Sequence, residues 1–418
     1  MMIADDLTGA ADCAAGSATH GFSASVVLWE KNRGARWPES DIVSIDADTR
    51  GLSPGEAAER TAEVAELCSL GSAKVALFKK VDSTLRGNMA TELAALLRVI
   101  RGRQGDQGAA IVFAPAFPAQ GRTTVGGCQL VHGQPLDQTD LWKNETRAPR
   151  SEIAAHLSEA GLSSRCIHVA EVRSGSDQLR ERITALSRAI DVVVCDAETD
   201  GDLRSIADAS VDLDQRTIWA GSAGLASQLP LALDLEPKMV PRRKVHFAAG
   251  PTLFVVGSAA SVSREQANLL AATHDVLSLR MTASSLLDPQ ARSNPIADSL
   301  RLGRDVLLLF DEGAPCLDSE EPMLTDALAR LIAPCAEILG GLVATGGETA
   351  RAVLENLGIG QLGLLGEAEP GLPFSVAEEW MRALPVLTKA GGFGKRDTLV
   401  RCKEFLQRLE RNTPRTDP

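Results

Sequence analysis

The stretch from Ile3 to Gly9, IADDLTG, carries an apolar strand directly into two adjacent carboxylates. Ligands of open α/β sheets bind beyond the carboxyl ends of the strands, so paired acids at the end of a first strand predict an active site. Two neighbouring anions also repel each other, and a metal, a cation or a shared proton must offset that repulsion. Asp6 or Thr8 alone would be interpreted as the cap of a helix that begins near Ala10, but a cap needs one side-chain oxygen and not two charges.

Short β-branched runs alternate with helical patterns along nearly the whole chain, which is typical of parallel sheets built from βαβ units. The sequence therefore predicts the α/β class. One helix, with an apolar stripe from Met89 to Ile100, is expected to begin after Gly87-Asn88. Strands are predicted near residues 25–28, 42–45, 75–78, 110–113, 167–170, 192–195, 217–220, 253–256, 306–310, 342–344 and 386–387, and a last helix from about residue 397.

The alternating pattern breaks between Pro230 and Pro251, where further prolines and a basic run are typical of a linker. We therefore predict an N-terminal domain over residues 1–235, a linker over 236–250 and a C-terminal domain over 251–418. Each domain is expected to form a lobe in which helices flank a mostly parallel sheet. The active site is expected in the cleft between the two lobes.

Composition excludes several classes of partner. The net charge of −12 over 418 residues argues against nucleic acid, because phosphate binding relies on clustered Lys and Arg. Eight cysteines and six histidines are scattered without metal-ligand or paired spacing, so neither a zinc site nor a disulfide framework is predicted. Free thiols in a reducing cytoplasm are expected. The sequence contains no apolar run of roughly eighteen residues and no signal-peptide pattern, so no membrane partner is expected.

One predicted strand-to-helix loop, KKVDSTLRGN, concentrates polar side chains. Such a loop suits a small polyhydroxy acid. Arg86 or Lys80 would face a carboxylate, and Ser83 and Thr84 would bond hydroxyl groups. Asp82 would accept a proton or orient a hydroxyl group. Individually these residues are ordinary in a solvated loop, but their density at a strand end predicts a site.

Two other strand ends repeat the pattern in the first half of the chain. Asp46-Ala47-Asp48-Thr49-Arg50 follows one predicted strand, and the loop that contains Arg122 follows another. The prolines of the second loop indicate a rigid wall. Because parallel strands end at one edge of a sheet, these groups are expected on the same rim as the paired acids.

In the second half of the chain, glycine follows the predicted strands, in Gly257-Ser258, Gly346-Gly347-Glu348-Thr349 and Gly391-Gly392-Phe393-Gly394. Glycine turns let backbone N–H groups approach phosphate, and a following helix N-terminus favours negative charge. Neither G-x-x-x-x-G-K-[ST] nor G-x-G-x-x-G is present. Each turn alone is equally typical of an ordinary loop. Three turns in one lobe favour a nucleotide-binding domain.

On these motifs the chain resembles the four-carbon acid sugar kinases, a family that includes D-threonate, D-erythronate and 3-oxo-tetronate kinases. The resemblance covers nearly the whole length, and its most specific blocks are IADDLTGAAD at 3–12 and KKVDSTLRGN at 79–88. Further blocks are PAFPAQGRTTVGG at 115–127, AGSAGLA at 220–226, VVGSAAS at 255–261, GGET at 346–349 and KAGGFG at 389–394.

The resemblance implies transfer of the γ-phosphate of ATP to the terminal hydroxyl of a four-carbon sugar acid. By motif, the acid would contact Asp5, Asp6, Arg50, Lys80, Asp82, Ser83, Thr84 and Arg86 in the N-terminal domain. ATP would contact Ser258, Gly346, Gly347, Glu348, Thr349, Gly391 and Gly392 in the C-terminal domain. The chain departs from the family in two places. Its first strand is short, which leaves open whether the true N-terminus lies upstream of Met1, and residues 143–146 lack the family's acidic, proline-containing run.

Phosphoryl transfer needs alignment, charge neutralisation and a group that accepts the hydroxyl proton. The glycine loops and Mg²⁺ would supply the first two, although the sequence assigns no metal ligands. The last glycine turn carries no acid, so the candidate bases are Asp5, Asp6 and Asp82, and Asp6 or Asp82 is expected to accept the proton. Arg50, Lys80 and Arg86 would then hold the carboxylate of the substrate.

Other classes of function fit less well. A haloacid-dehalogenase-type phosphatase needs a second Asp two positions after its nucleophile, and neither Leu7 nor Thr8 provides it. A nicotinamide dehydrogenase needs a G-x-G-x-x-G after an early strand. A two-lobed sensor that binds an acid sugar without catalysis is the alternative, and ATP consumption would separate it from a kinase. The sequence leaves open which four-carbon acid is used and the oligomeric state, for which a homodimer is one expectation.

Overall fold

The fold is described from a computed structural model of the chain, which divides into two compact units. The first unit comprises Met1–Ser17 and Ile42–Pro237, and the second comprises Ala18–Asp41 and Lys238–Pro418. The structure describes residues 1–32, 37–69, 75–104, 108–142, 148–213, 216–237, 245–257, 260–282, 294–310, 327–328, 331–377 and 382–412. Within these ranges, none of the helices combines the length and the apolar composition that crossing a membrane requires.

Eighteen strands and twelve α-helices are described. The strands are β1 (Met2–Ala4), β2 (Ala24–Leu28), β3 (Ile42–Asp46), β4 (Leu77–Lys80), β5 (Ala110–Ala114), β6 (Arg122–Val125), β7 (Cys128–Val131), β8 (Gln134–Pro135), β9 (Ser164–Ile167), β10 (Val192–Cys195), β11 (Thr217–Gly221), β12 (Thr252–Val256), β13 (Val276–Met281), β14 (Asp305–Phe310), β15 (Gly341–Thr345), β16 (Gln361–Glu369), β17 (Leu372–Ala377) and β18 (Leu384–Lys389). The helices are α1 (Leu7–Thr19), α2 (Pro54–Ser69), α3 (Met89–Gln104), α4 (Ile153–Glu159), α5 (Val169–Val172), α6 (Ser176–Ser187), α7 (Asp200–Ser210), α8 (Ala223–Ala232), α9 (Ser261–Ala271), α10 (Pro295–Arg301), α11 (Gly347–Asn356) and α12 (Thr398–Asn412).

The main sheet of the first unit is parallel, in the order β3-β1-β4-β11-β5-β10-β9. After β1 the chain returns to this sheet as β3, on one side of β1. After β4 it continues to β5, on the other side. The strand order therefore reverses between β1 and β4, and this switch point is where ligands bind in open α/β sheets. A small antiparallel sheet, β6-β7-β8, completes this unit.

The second unit has a mixed sheet. Strands β13-β14-β12-β15-β18 are parallel neighbours, and β18-β17-β16-β2 continue the sheet in antiparallel pairs. Its core includes Phe254, Leu307, Val343 and Leu387 from four of these strands, packed against α9 and α12. Full burial of each such side chain contributes about 1.5–3 kcal/mol to the stability of the fold.

The α/β class with mostly parallel strands and flanking helices is confirmed, and most predicted strands fall within two residues of the observed ones. The apolar stripe from Met89 to Ile100 is buried, as predicted. Helix α1 begins at Leu7 and not near Ala10, because Asp6 caps it directly: Oδ1 accepts the N–H of Gly9 at 3.1 Å.

The strand predicted at 167–170 is wrong. Strand β9 ends at Ile167, and α5 begins two residues later. This strand borders the sheet and its residues alternate in exposure, so its Ser-Arg-Cys-Ile sequence has no continuous apolar run. The β2 region also differs from expectation, because Ala18–Asp41 groups with the second unit, where β2 pairs with β16. The proposed domain limits stay predictions.

Candidate active site

Pairing of β1 with β3 and β4 brings three polar loops to one edge of the first unit's sheet. Ala4 is in register with Asp46, and Ile3 is in register with Lys79. The last residues of these strands and the residues that follow them are therefore neighbours in space. They include most of the predicted substrate contacts, namely Asp5, Asp6, Arg50, Lys80, Asp82 and Arg86.

Two cations neutralise the paired acids. Lys80 Nζ lies 3.0 Å from Asp5 Oδ1 and 3.0 Å from Asp6 Oδ1. The Arg50 guanidinium forks between the same acids, with Nε 2.9 Å from Asp5 Oδ2 and Nη1 2.9 Å from Asp6 Oδ2. A metal, a cation or a shared proton could offset the repulsion between the two acids, and in the structure cations do so.

Asp6 is the most heavily engaged acid of this cluster. Besides Lys80 and Arg50, its carboxylate accepts hydrogen bonds from Gly9 N at 3.1 Å and from Thr8 Oγ1 at 2.6 Å. A carboxylate offers about four lone-pair positions, so Asp6 has no position left for a further donor. Burial alone would raise the pKa of Asp6, but the charges of Arg50 and Lys80 outweigh burial and lower the pKa well below its usual range.

Asp82 is bound at the start of the loop that follows β4. Arg86 contacts it with Nε at 2.8 Å and Nη2 at 3.1 Å, and the Thr84 hydroxyl donates to its Oδ2. Arg50 Nη2 lies 3.8 Å from its Oδ1. Burial acts to raise the pKa of Asp82, but Arg86 and Arg50 outweigh burial and hold the pKa well below its usual range. Asp82 therefore stays ionised at neutral pH.

The backbone of the loop around Asp82 is held by hydrogen bonds from side chains to its carbonyls. Leu85 has a φ of 58°, a left-handed conformation that a bulky residue adopts only when its surroundings impose it. Gln129 Nε2 donates to the carbonyl of Ser83 at 2.7 Å, and Trp142 Nε1 donates to the carbonyl of Thr84 at 2.8 Å. The Thr84 hydroxyl is thus occupied by Asp82, whereas the Ser83 hydroxyl makes no hydrogen bond to the residues that the structure describes.

Arg122 adds a cation that was not among the predicted site residues, although its loop was expected on this rim. It begins β6, is 9% exposed and interacts electrostatically with Asp82 and Arg86. Burial lowers the pKa of Arg122 from its usual value, yet an arginine remains charged. We define the interlocked set as the four cations Arg50, Lys80, Arg86 and Arg122 and the three carboxylates Asp5, Asp6 and Asp82, with Arg122 included through its electrostatic interaction with Asp82 and Arg86. Its charge is therefore +1.

A buried ion pair supports these loops. Lys79 and Glu92 are fully buried, with Nζ 3.2 Å from Oε1, and the Thr49 hydroxyl donates to the same carboxylate. Asn88 Nδ2 donates to the carbonyl of Thr49 at 3.0 Å. These contacts fix the residue that precedes Arg50. Glu92 was missed because, in the sequence, it is one acid on a predicted helix.

In the second unit, two of the predicted glycine turns follow the neighbouring strands β15 and β18. Gly346 has a φ of 92° and donates its N–H to the carbonyl of Lys389 at 3.0 Å. Helix α11 then begins at Gly347, so the N–H groups of its first turn, which includes Glu348 and Thr349, point out of the helix end. Ser258 lies outside the described residues.

Lys389, at the end of β18, organises the second turn and was missed by sequence reasoning. Its Nζ donates to the carbonyls of Ala390 at 2.9 Å, Gly391 at 3.3 Å and Phe393 at 3.0 Å, and to Ser263 Oγ at 3.1 Å. Burial lowers the pKa of Lys389 to about 8.

With their carbonyls drawn inward, the residues of this turn present their N–H groups outward. None of the residues that the structure describes accepts a hydrogen bond from the N–H groups of Gly391, Gly392 or Gly394. Such a run of unpaired N–H groups forms a concavity that suits an anion. Thr349 Oγ1 is a further buried atom without a hydrogen-bond partner in the described part of the chain. A Cβ on Gly257 would lie 1.8 Å from that oxygen, so only glycine fits there.

Comparison with known families gives two matches along the chain. A profile described as "Sugar-binding N-terminal domain" matches residues 1–229, and a profile described as "Nucleotide-binding C-terminal domain" matches residues 253–399. The chain is 41% identical to a D-threonate kinase of Cupriavidus necator, over 96% of each chain. It is 29% identical to a D-erythronate kinase of Heliobacterium modesticaldum, over 97% of this chain and 96% of that protein.

Among solved structures, a Haemophilus influenzae protein is similar, with a TM-score of 0.72 over 98% of this chain and 99% of that one. Their sequences are 20% identical, so this likeness concerns the fold alone.

Proposed function

The chain belongs to the family of four-carbon acid sugar kinases, and on that basis we propose that it transfers the γ-phosphate of ATP to the terminal hydroxyl of D-threonate. D-threonate is preferred over D-erythronate because the similarity to a D-threonate kinase is 41%, against 29% for a D-erythronate kinase. The observation that carries the proposal is the charge of +1 on the interlocked set of side chains at the end of β1.

That charge fits an acceptor with one carboxylate. Lys80 and Arg50 are already engaged by Asp5 and Asp6, so the excess charge lies with Arg86 and Arg122 around Asp82. A substrate carboxylate would neutralise this excess, and guanidinium groups bind carboxylates through two parallel hydrogen bonds. We therefore revise the expected carboxylate contacts from Arg50, Lys80 and Arg86 to Arg86 and Arg122.

Of the two expected bases, Asp82 is the better acceptor of the hydroxyl proton. The oxygens of Asp6 are fully occupied, whereas among the described residues Asp82 Oδ1 receives only Arg86 Nη2 at 3.1 Å and the more distant Arg50 at 3.8 Å. Asp82 is also more exposed than Asp6, at 8% against 4%. We assign the role of base to Asp82, and we propose that Asp6 positions Lys80 and Arg50.

The glycine turns after β15 and β18 are proposed to bind the phosphates of ATP. The outward N–H groups of Gly391 and Gly392, together with the N-terminus of α11 at Gly347, supply donors without adding basic surface. The three acids of the interlocked set, Asp5, Asp6 and Asp82, are already paired with Lys and Arg, and Glu348 is paired with Arg351 at 2.8 Å. We therefore expect Mg²⁺ to arrive on the triphosphate as part of the substrate.

A coupled assay of ADP release tests this function. D-threonate, D-erythronate and 3-oxo-tetronate are compared as acceptors, with ATP and Mg²⁺ and with the acid omitted as a blank. D-threonate is expected to give the highest kcat/KM. ADP release that is independent of every acid would refute the proposal. Binding of an acid without ADP release would instead favour the acid-sugar sensor.

Arg122→Gln tests the carboxylate contact, with Arg98→Gln as the matched control because Arg98 lies exposed on α3. Loss of one charge-assisted pair, about 1.5–3 kcal/mol, predicts a rise of roughly 10-fold or more in the KM for the acid. The KM for ATP should stay the same in both variants. An unchanged KM for the acid in Arg122→Gln would remove Arg122 from the site. The cleft between lobes, the cytoplasmic location and the homodimer stay predictions.

A further inference from the structure

A second group of ligand-type side chains lies at the ends of β9 and β10 in the first unit's sheet, four and three strands away from β4. The ligand atoms of Cys166, His168 and Asp196 all lie within 4.8 Å of one another. We propose that these three side chains bind a divalent transition metal, with Zn²⁺ as the preferred ion. The proposal does not depend on the kinase assignment, because none of these residues belongs to the interlocked charge cluster.

The three residues are placed by two neighbouring strands. Cys166 lies in β9, His168 follows its last residue, and Asp196 follows β10, with Val194 in register with Cys166. The thiol of Cys166 is 3.3 Å from Asp196 Oδ1, and His168 Nδ1 is 3.3 Å from Asp196 Oδ2. Sequence reasoning excluded a zinc site on linear spacing, and strand pairing brings the ligands together across 30 residues.

Two of the separations, from Asp196 to Cys166 and to His168, match those of a tetrahedral zinc site, and the third, between Cys166 and His168, is within 4.8 Å. With Zn–S near 2.3 Å and Zn–N and Zn–O near 2.0–2.1 Å, neighbouring ligand atoms lie roughly 3.3–3.5 Å apart. The thiol and the imidazole each contact the carboxylate at such a distance through a hydrogen. The thiol contacts Asp196 Oδ1 and the imidazole contacts Asp196 Oδ2, so Zn²⁺ bound to one of these oxygens would replace one hydrogen bond and draw the other ligand toward the same oxygen. Binding would release the thiol proton to solvent and leave the imidazole neutral.

Asp196 is already oriented for this role. It is 1% exposed, and its two oxygens accept the N–H groups of Gly126 at 2.7 Å and Gly127 at 2.9 Å. Carboxylate ligands in metal sites are typically held by such outer hydrogen bonds. The same hydrogen bonds connect the turn between β6 and β7 to the end of β10, so a bound metal would stabilise this part of the first unit.

The donor set favours zinc over hard cations. A thiolate and an imidazole suit Zn²⁺, whereas Mg²⁺ and Ca²⁺ prefer oxygen ligands throughout. His168 is 59% exposed at its side chain, so the ion would reach the site from solvent and take water as its fourth ligand. The site therefore has the three protein ligands and the open position of exchangeable zinc sites.

The test titrates the full-length protein with Zn²⁺ against a chromophoric chelator, and separately with Co²⁺. We expect one Zn²⁺ per chain and, with Co²⁺, a thiolate-to-metal charge-transfer band. Cys166→Ser should abolish that band and weaken Zn²⁺ binding by roughly 100-fold or more, since even outer-shell changes cost 10–100-fold. His168→Asn, an exposed position that does not threaten folding, should weaken binding similarly.

Cys128→Ser is the matched control, because Cys128 lies beside the same turn but outside the three-residue group. It should leave both titrations unchanged. Zn²⁺ binding should also raise the melting temperature of the native protein and of Cys128→Ser, but not of His168→Asn. Equal Zn²⁺ affinity in the native protein, Cys166→Ser and His168→Asn would overturn the proposal, as would a Co²⁺ adduct without the charge-transfer band.

Discussion

Gly9→Ala tests whether the position of Lys80 decides activity. Gly9 lies in the first turn of α1, and a Cβ there would lie 1.8 Å from Lys80 Nζ, 2.3 Å from its Cε and 2.6 Å from Asp6 Oδ1. An ordinary contact requires at least 3.4 Å, so the Lys80 ammonium must retreat by about 1.6 Å. Its two 3.0 Å bonds to Asp5 and Asp6 would then lengthen beyond hydrogen-bonding distance.

The magnitude follows from two opposing effects. Charge-assisted hydrogen bonds contribute about 1.5–3 kcal/mol each, so loss of both Lys80 bonds costs about 3–6 kcal/mol. Alanine in a helix gains up to about 1 kcal/mol over glycine. Gly9→Ala should therefore lower the free energy of unfolding by about 2–5 kcal/mol. It should also lower kcat/KM by at least about 100-fold, because the displaced ammonium no longer sets the positions of the acids beside the substrate.

Gly102→Ala is the matched control, because Gly102 also lies in a helix and a Cβ there meets nothing within 4 Å. It should match or slightly exceed the native protein in urea unfolding and equal it in ADP release. In a Lys80→Ala background, Gly9→Ala should lose most of its effect, since the clash acts through the lysine. Equal unfolding and turnover in Gly9→Ala and Gly102→Ala would show that the position of Lys80 is not critical.

Lys389→Met should raise the KM for ATP by roughly 10-fold or more. Its free energy of unfolding should change by less than about 3 kcal/mol, because the loss of hydrogen bonds and the removal of a buried charge have opposite effects on stability. In the native protein, the KM for ATP should rise above pH 8, where Lys389 loses its proton. The free energy of unfolding should rise from pH 8 to 10.5, because the unfolded chain binds more protons than the folded chain in this range. Both trends should vanish in Lys389→Met. Asp82→Asn should lower kcat by about 10²–10⁴-fold with the KM for ATP unchanged, and near-normal kcat would exclude Asp82 as the base. Because the pKa of Asp6 is lower in the folded chain, ionised Asp6 stabilises the fold at pH values above 3.8, its pKa in the unfolded chain, and this contribution is lost as the pH falls further. The free energy of unfolding of Asp6→Asn, measured in urea, should therefore depend less on pH below about pH 4 than that of the native protein.

The edge of the sheet at which the polar loops meet could be predicted because parallel strands share one polarity. Once Asp5, Arg50 and Lys80 were each placed after a strand, their position at one edge of the sheet followed without knowledge of the strand order, whereas their contact required that order. The order itself, with β1 between β3 and β4, depends on tertiary packing that no local pattern encodes. The same limit explains β2, whose antiparallel partner β16 is more than 300 residues away in the chain.

Residues that act by supporting others were the ones that sequence patterns missed. Lys389 and Glu92 are buried charged residues, and a sequence shows only a lysine in a strand and an acid on a helix. Buried charge is retained when a structure provides several partners. For Lys389 they come from Ser263 and from the turn that follows it. Such roles become visible only when hydrogen bonds are counted.

Asp6 shows why cap and site are not alternatives. A helix N-terminus favours a nearby negative charge, and Asp6 supplies the cap to Gly9 N with the same carboxylate that holds Lys80 and Arg50. Each of these partners stabilises the ionised form, so together they outweigh the burial of the acid. Because α1 fixes the Asp6 carboxylate, Lys80 and Arg50 are held in place before any ligand binds. The acid that begins the helix thereby sets the positions of the cations, which leaves Asp82, the less occupied acid, as the one that we expect to face the substrate.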